Sequence, residues 1–102
     1  MNIVEQNIGS ISVLCNRHKV AKLFVFGSVL TDKFTKSSDI DFVVDFSGVD
    51  LYNYADNYFA LKESLEKLLN RQVDFMEDKA ITNPYLRQSI DSTKKLIYKS
   101  GN

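Results

Sequence analysis

The chain has 102 residues, 44% apolar and 25% charged, with 13 basic residues balanced by 13 acidic ones and a formal net charge of zero. That length suits one small domain, residues 1–102, built on a single core. The charge balance argues against bulk nucleic acid or an anionic membrane surface as the main partner.

The first residues place Ile3, Val4, Ile8, Ile11 and Leu14 at helical spacing. This predicts an amphipathic helix over 2–17, interrupted near Gly9 and Ser10. The same stretch holds Glu5, Gln6 and Asn7 and no basic leader. No apolar run in the chain nears the roughly 18 residues that span a bilayer, so no membrane association is expected. Cys15 is the one cysteine, which excludes an internal disulfide and fits a cytoplasmic protein. His18 is the one histidine, which excludes a multi-histidine zinc site within the chain.

Residues 21–26 (AKLFVF) are short, apolar and aromatic and stop at Gly27, the pattern of a buried strand ending in a tight turn. Residues 40–45 (IDFVVD) predict a second strand. Across 51–69, apolar residues recur at Leu51, Tyr54, Tyr58, Leu61, Leu65 and Leu68, which predicts a long amphipathic helix. Asn70-Arg71 ends it, and 72–76 (QVDFM) read as a third strand. Asn83-Pro84 marks a helix start, with Asn as N-cap and Pro at the first helical position. Residues 95–98 (KLIY) fit either a last strand or a helical turn. Helices alternating with strands give an α/β (α+β) class: a single small mixed β-sheet with flanking helices.

Three features carry chemistry. Gly27-Ser28 follows the first strand; glycine permits a sharp turn and close backbone approach, and unpaired N–H groups at a helix start suit phosphate. A plain strand-to-helix turn capped by serine would look the same. Asp39 and Asp41 are two apart, so on a strand they project from one face while Ile40, Phe42 and Val44 point inward. Two adjacent carboxylates repel, and a divalent cation such as magnesium relieves them; a solvated strand end is the plainer alternative. Asp74 lies between Val73 and Phe75 and needs a partner or a function; a salt bridge to Arg71 or a lysine would supply the former.

Together, Gly27-Ser28, ten intervening residues and Asp39-Ile40-Asp41-Phe42-Val43-Val44 resemble the signature of the DNA-polymerase-β-like nucleotidyltransferase superfamily. From about residue 20 onward, through Val73-Asp74-Phe75 and Asn83-Pro84-Tyr85-Leu86-Arg87, the chain resembles its minimal stand-alone branch. These are the MNT domains, often encoded beside a HEPN-domain toxin and acting as its antitoxin. The resemblance implies the polymerase-β-like fold and an Mg2+-dependent nucleotidyltransferase. It implies that Gly27 and Ser28 hold a nucleoside triphosphate, that Asp39 and Asp41 bind two magnesium ions, and that Asp74 binds the metal nearer the acceptor and helps deprotonate its hydroxyl. Such chemistry rests on positioning and charge neutralisation and needs no histidine or cysteine nucleophile.

One departure stands out. Relatives carry an arginine and a glycine shortly after the Gly-Ser, where this chain reads Val29-Leu30-Thr31-Asp32; Lys33 and Lys36 are the cations at hand to hold phosphate. The implied reaction moves AMP from ATP to a tyrosine hydroxyl of a HEPN toxin. The small size leaves the acceptor site to a surface or to a partner, as a homo- or hetero-oligomer. A non-catalytic antitoxin that binds its toxin by contact alone, and nucleotidyl transfer to RNA or a small molecule, are the competing expectations.

Overall fold

The computed structural model describes residues 2–101. Its framework is a mixed four-stranded sheet in the order β3-β2-β1-β4, with β1 at Val20–Phe26, β2 at Ile40–Phe46, β3 at Val73–Glu77 and β4 at Lys95–Lys99. β1 runs antiparallel to both β2 and β4, while β2 and β3 are parallel. Parallel neighbours need a long crossover, and here it is made by α3 at Tyr54–Leu69. The mixed sheet with flanking helices is the architecture that the alternating pattern predicts.

Side-chain alternation divides the sheet into two faces. Leu23 and Val25 of β1, Ile40, Phe42 and Val44 of β2, and Val73 and Phe75 of β3 enter one large core. Ile11 and Cys15 of α2 (Ile8–Arg17) and Leu61, Leu65 and Leu69 of α3 cover that face. The last three are spaced by four, so one stripe of the helix points inward. Asn57 Nδ2 donates to the His18 carbonyl at 2.8 Å, tying α3 to the end of α2. The opposite face carries Phe24, Phe26, Val43 and Met76. It is partly covered by α4 (Pro84–Thr93), whose Ile90 is buried against Val43. Asn83 caps α4 as predicted: its side chain accepts from the Tyr85 and Leu86 amides at 2.9 and 3.1 Å.

The N-terminal helix and the start of α3 differ from the sequence expectation, each for a local reason. The N-terminal helix is two pieces, α1 (Ile3–Gln6) and α2, and the break falls at Asn7 rather than at Gly9-Ser10. There the Asn7 side chain donates to Ile3 O and its amide to Val4 O, closing the first helix. α3 begins at Tyr54, because Asp50 accepts from the Asn53 amide and holds 51–53 as a turn. That turn turns Leu51 outward, 91% exposed, despite its helical spacing. At the other end Asn70 takes φ 53°, the left-handed conformation that asparagine tolerates at a helix terminus. Residues 95–99 are a strand, not a helical turn, since the open edge of β1 takes them as a partner.

Two outcomes test this core. Leu65→Ala, at a fully buried position, is expected to lower the unfolding free energy by about 2–5 kcal/mol, measured by urea denaturation. Burial pushes the Cys15 thiol up to about 12. The fold therefore favours the neutral thiol. The resulting stabilisation is complete below the unfolded value of about 8.5 and is lost as pH rises from there towards 12. A thiol reagent at pH 8 should leave the native chain untouched and titrate Cys15 only in denaturant, and the urea midpoint should fall above pH 8.5.

Candidate active site

β1 ends at Phe26, and Gly27 takes φ +78°. A side chain there would be strained by that backbone. Its Cβ would also overlap Asp41 Oδ2 and stand 3.3 Å from Asp41 Cγ. Glycine thus lets the turn pass directly against the aspartate carboxylate. The expected short helix after it is a four-residue 3-10 turn, Gly27–Leu30. It is anchored by the buried Val29 and closed by Thr31, whose amide and hydroxyl both donate to Ser28 O at 2.9 Å.

Sheet register brings the aspartates in. Asp41 is the cross-strand partner of Phe26 on one side and of Asp74 on the other. The two aspartates lie side by side on neighbouring strands, about 4.8 Å apart in the hydrogen-bonding direction. Both project from the face opposite the main core, as alternation with the buried Ile40, Phe42, Val73 and Phe75 requires. Asp39 lies one residue before β2 and is exposed; Asp74 is exposed and Asp41 half-buried. Burial holds the Asp41 carboxyl above its ordinary value, and the negative charges of Asp74 and Asp39 push it further the same way. Like-charge crowding at Asp41 is therefore a property of the fold. Among the described residues, no group of three or more His, Cys, Asp or Glu is drawn together tightly enough to cage a metal by itself.

The loop between the turn and Asp39 is held by Arg71, which sequence reading weighed only as a salt-bridge partner for Asp74. Arg71 donates to Thr35 O at 2.8 Å and Ser38 O at 2.9 Å, and its guanidinium lies 4.3 Å from the centroid of Phe34. It is engaged with the loop backbone rather than with Asp74, the salt-bridge partner considered from sequence. Its only sequence signal was a cation at the end of a long helix. Lys33 and Lys36 ride on this loop with exposed side chains and are not brought against the aspartates by any contact among the described residues.

Two cavities flank the aspartate row. One of ≈620 Å3 lies between the 3-10 turn and α4, lined by Phe26, Gly27, Leu30, Thr31, Ser89 and Thr93. The other, ≈460 Å3, lies along β3 beside Tyr58, Phe59, Phe75 and Met76. There the Tyr58 hydroxyl donates to Phe75 O; burial first, then the charges of Asp74 and Glu77, raise its pKa above the usual phenol value.

The family model for polymerase beta nucleotidyltransferases matches residues 10–102. A protein of Methanocaldococcus jannaschii named "Putative protein adenylyltransferase MJ1379" is 37% identical over 86 residues, covering 84% of this chain and 83% of its own. A solved structure described as a "putative minimal nucleotidyltransferase" superposes with a TM-score of 0.67 at 28% identity, covering 93% of this chain and 95% of that one. The fold is also shared, with a TM-score of 0.64 at 21% identity and coverage of 95% and 73%, by a chain from the structure of a tri-AMPylated Shewanella oneidensis HEPN toxin in complex with MNT antitoxin. The chain belongs to the polymerase beta nucleotidyltransferase family.

Proposed function

We propose that this nucleotidyltransferase moves AMP from ATP to a protein hydroxyl, a tyrosine of a HEPN-domain partner, the tyrosine oxygen bonding to the α-phosphorus as pyrophosphate leaves, and so acts as an antitoxin. The observation that carries the reading is the row formed by the Gly27 turn, Asp41 and Asp74. It sets a turn able to approach phosphate directly beside paired carboxylates. The 37% identical relative named as a protein adenylyltransferase supports the donor and the protein acceptor. The fold shared with a chain from an MNT–HEPN complex supports the partner.

The donor set fits magnesium. Asp39, Asp41 and Asp74 offer hard carboxylate oxygens. Magnesium is usually bound by one or two carboxylates together with substrate phosphates, not by an all-protein cage, which agrees with three aspartates that do not close on one another. Crowding at Asp41 is relieved by a cation. Asp39 and Asp41 would hold the metals, with Asp74 as the ligand on the acceptor side. Bound there, the ions would neutralise phosphate charge and lower the pKa of the attacking hydroxyl. The chain's own residues do the positioning. Gly27 and Ser28 present the turn to the triphosphate, Lys33 and Lys36 supply positive charge on the adjoining loop, and Arg71 fixes the loop that delivers Asp39. Asp74 is the carboxylate on the open side of the row and accepts the proton of the incoming hydroxyl.

A second reading, neutralisation of a partner by contact alone, is favoured by apolar side chains left in solvent: Leu51 at 91%, Tyr52 at 93% and Phe59 at 55% exposure. Loss of catalysis separates the two. Incubated with ATP, magnesium and a HEPN-domain partner, the chain should add AMP to a partner tyrosine, seen by intact mass and peptide mapping, and chelation should stop it. Asp41→Asn should keep the fold and lower the rate at least about 100-fold, the scale of the several kcal/mol that metal charge stabilisation supplies. Full-rate transfer by Asp41→Asn would sink the metal assignment, and neutralisation that survives loss of all three aspartates would favour the contact reading. Gly27→Ala should cost about 1–2 kcal/mol of stability through its left-handed backbone and should lower transfer by more than the stability change explains, because the new methyl displaces Asp41; parallel melting and rate measurements check both.

A further inference from the structure

The ≈460 Å3 cavity beside β3 is not used by the transfer chemistry above. Its wall is largely aromatic. Tyr58 stands edge-on to Phe59 and tilted against Phe75, with ring centroids 5.0 Å apart in both pairs, and Tyr54 and Ile81 continue the lining. Glu77, half-buried, is the one charged residue in that lining. Among the described residues it makes no ion pair. The Tyr54 hydroxyl is shut off from solvent without a hydrogen-bond partner. An unpaired carboxylate and a buried, unbonded phenol in an apolar wall are exceptions in a folded protein, and both call for a partner.

The fitting partner is a cation. Burial comes first in raising the pKa of both phenols. After it, the side chains that act on Tyr54 are Glu77, Tyr58 and Asp45, and those that act on Tyr58 are Asp74 and Glu77. No basic group offsets them at either ring. Aromatic faces attract a guanidinium, which also forks onto a carboxylate and brings an apolar stem to lie along Phe59 and Ile81. Recognition by strand addition is less suited to this edge. The Val73 amide donates to Glu66 Oε2 at 3.0 Å and the Phe75 carbonyl accepts from the Tyr58 hydroxyl, so side chains of α3 already take up backbone groups of β3.

We propose that this cavity binds an arginine side chain of the acceptor polypeptide, its guanidinium on Glu77 and against the tyrosine rings, and so docks the segment that carries the acceptor hydroxyl; the inference rests on the protein-acceptor reading above. Glu77 follows Asp74 by three residues on β3, about 10 Å at roughly 3.3 Å per residue. An extended acceptor segment covers that span with about three residues. Residues three apart on a strand point to opposite sides, as Asp74 and Glu77 do on β3, so an arginine and a tyrosine at that spacing match both ends.

NMR titration of the full chain with a capped Leu-Arg-Ala-Ala-Tyr peptide tests the site. The amide signals of 54–59 and 75–81 should move. The same peptide with citrulline, a neutral near-isostere, in place of arginine should bind about fivefold or more weakly. Glu77→Gln should bring the two peptides to within about twofold of each other, and Phe59→Ala, at an exposed position, should weaken the arginine peptide several-fold. Absence of shifts at millimolar peptide, shifts confined to another surface, or equal binding of the two peptides overturns the site. So does an arginine preference that survives Glu77→Gln in a chain whose circular dichroism is unchanged. Self-association of the chain that Glu77→Gln abolishes would put a second copy in the cavity and overturn the acceptor as its occupant. The titration contains no ATP. Arginine-selective binding here, beside a HEPN-domain partner that receives no AMP, overturns the transfer reading and leaves the cation site standing.

Discussion

Everything at the candidate site depends on the register of β2 between its two neighbours. Asp41 is paired with Phe26 on the antiparallel side and with Asp74 on the parallel side, and this double pairing puts a turn, a half-buried carboxylate and a second carboxylate in one line. A slip of one residue would turn Asp41 into the apolar core and bring Ile40 or Phe42 out. The hydrophobic face therefore enforces the polar one. Ile40, Phe42 and Val44 are fully buried on the core side, and the free energy of that burial keeps like charges together that would otherwise move apart. Burial first, and then this imposed crowding, raises the pKa of Asp41.

Two further devices hold the surroundings still. On the site side, Arg71 uses two backbone carbonyls and a ring face to immobilise the loop from Thr35 to Ser38, which would otherwise leave Asp39 on a free tether. At the far end, Arg87 bonds Asp78 through Nη1 at 2.8 Å and the Asp78 carbonyl through Nη2 at 2.7 Å. That grip fixes α4 to the segment just after β3, so that Ser89 and Thr93 return to the Gly27 turn. The partly exposed Arg87–Asp78 ion pair contributes little to stability by itself; its value is in geometry, as it holds α4 to a segment 9 residues earlier, while Arg71 reaches a loop 36 residues away.

The strands, the main helix and the aspartates were legible because period and composition report directly on burial: a two-residue alternation in IDFVVD, leucines at Leu61 and Leu65, Asn83-Pro84 as a cap. What escaped was decided by interactions that leave no periodic trace. The break at Asn7 follows from one side chain bonding back to Ile3 O. Leu51 has helical spacing but sits in a turn held by Asp50. The segment 95–99 is too short for its own pattern to choose, and the free edge of β1 chooses for it. Arg71, Ser89 and Thr93 are ordinary surface residues on any sequence scale; only the fold shows that one ties down the loop and that the others face Gly27 across a cavity.

The departure after Gly27-Ser28 acquires a physical meaning from this arrangement. Without the arginine and glycine expected there, the turn is pinned into the core through Val29 and presents Leu30 to the cavity. An arginine at such a point would reach the phosphates directly. Here the cations, Lys33 and Lys36, sit on an exposed loop, where solvent and salt weaken their pull. Under the proposed function, charge neutralisation would then fall more heavily on metals at the aspartates. A site so divided should depend strongly on magnesium and weakly on ionic strength, the reverse of one that grips phosphate through exposed basic side chains.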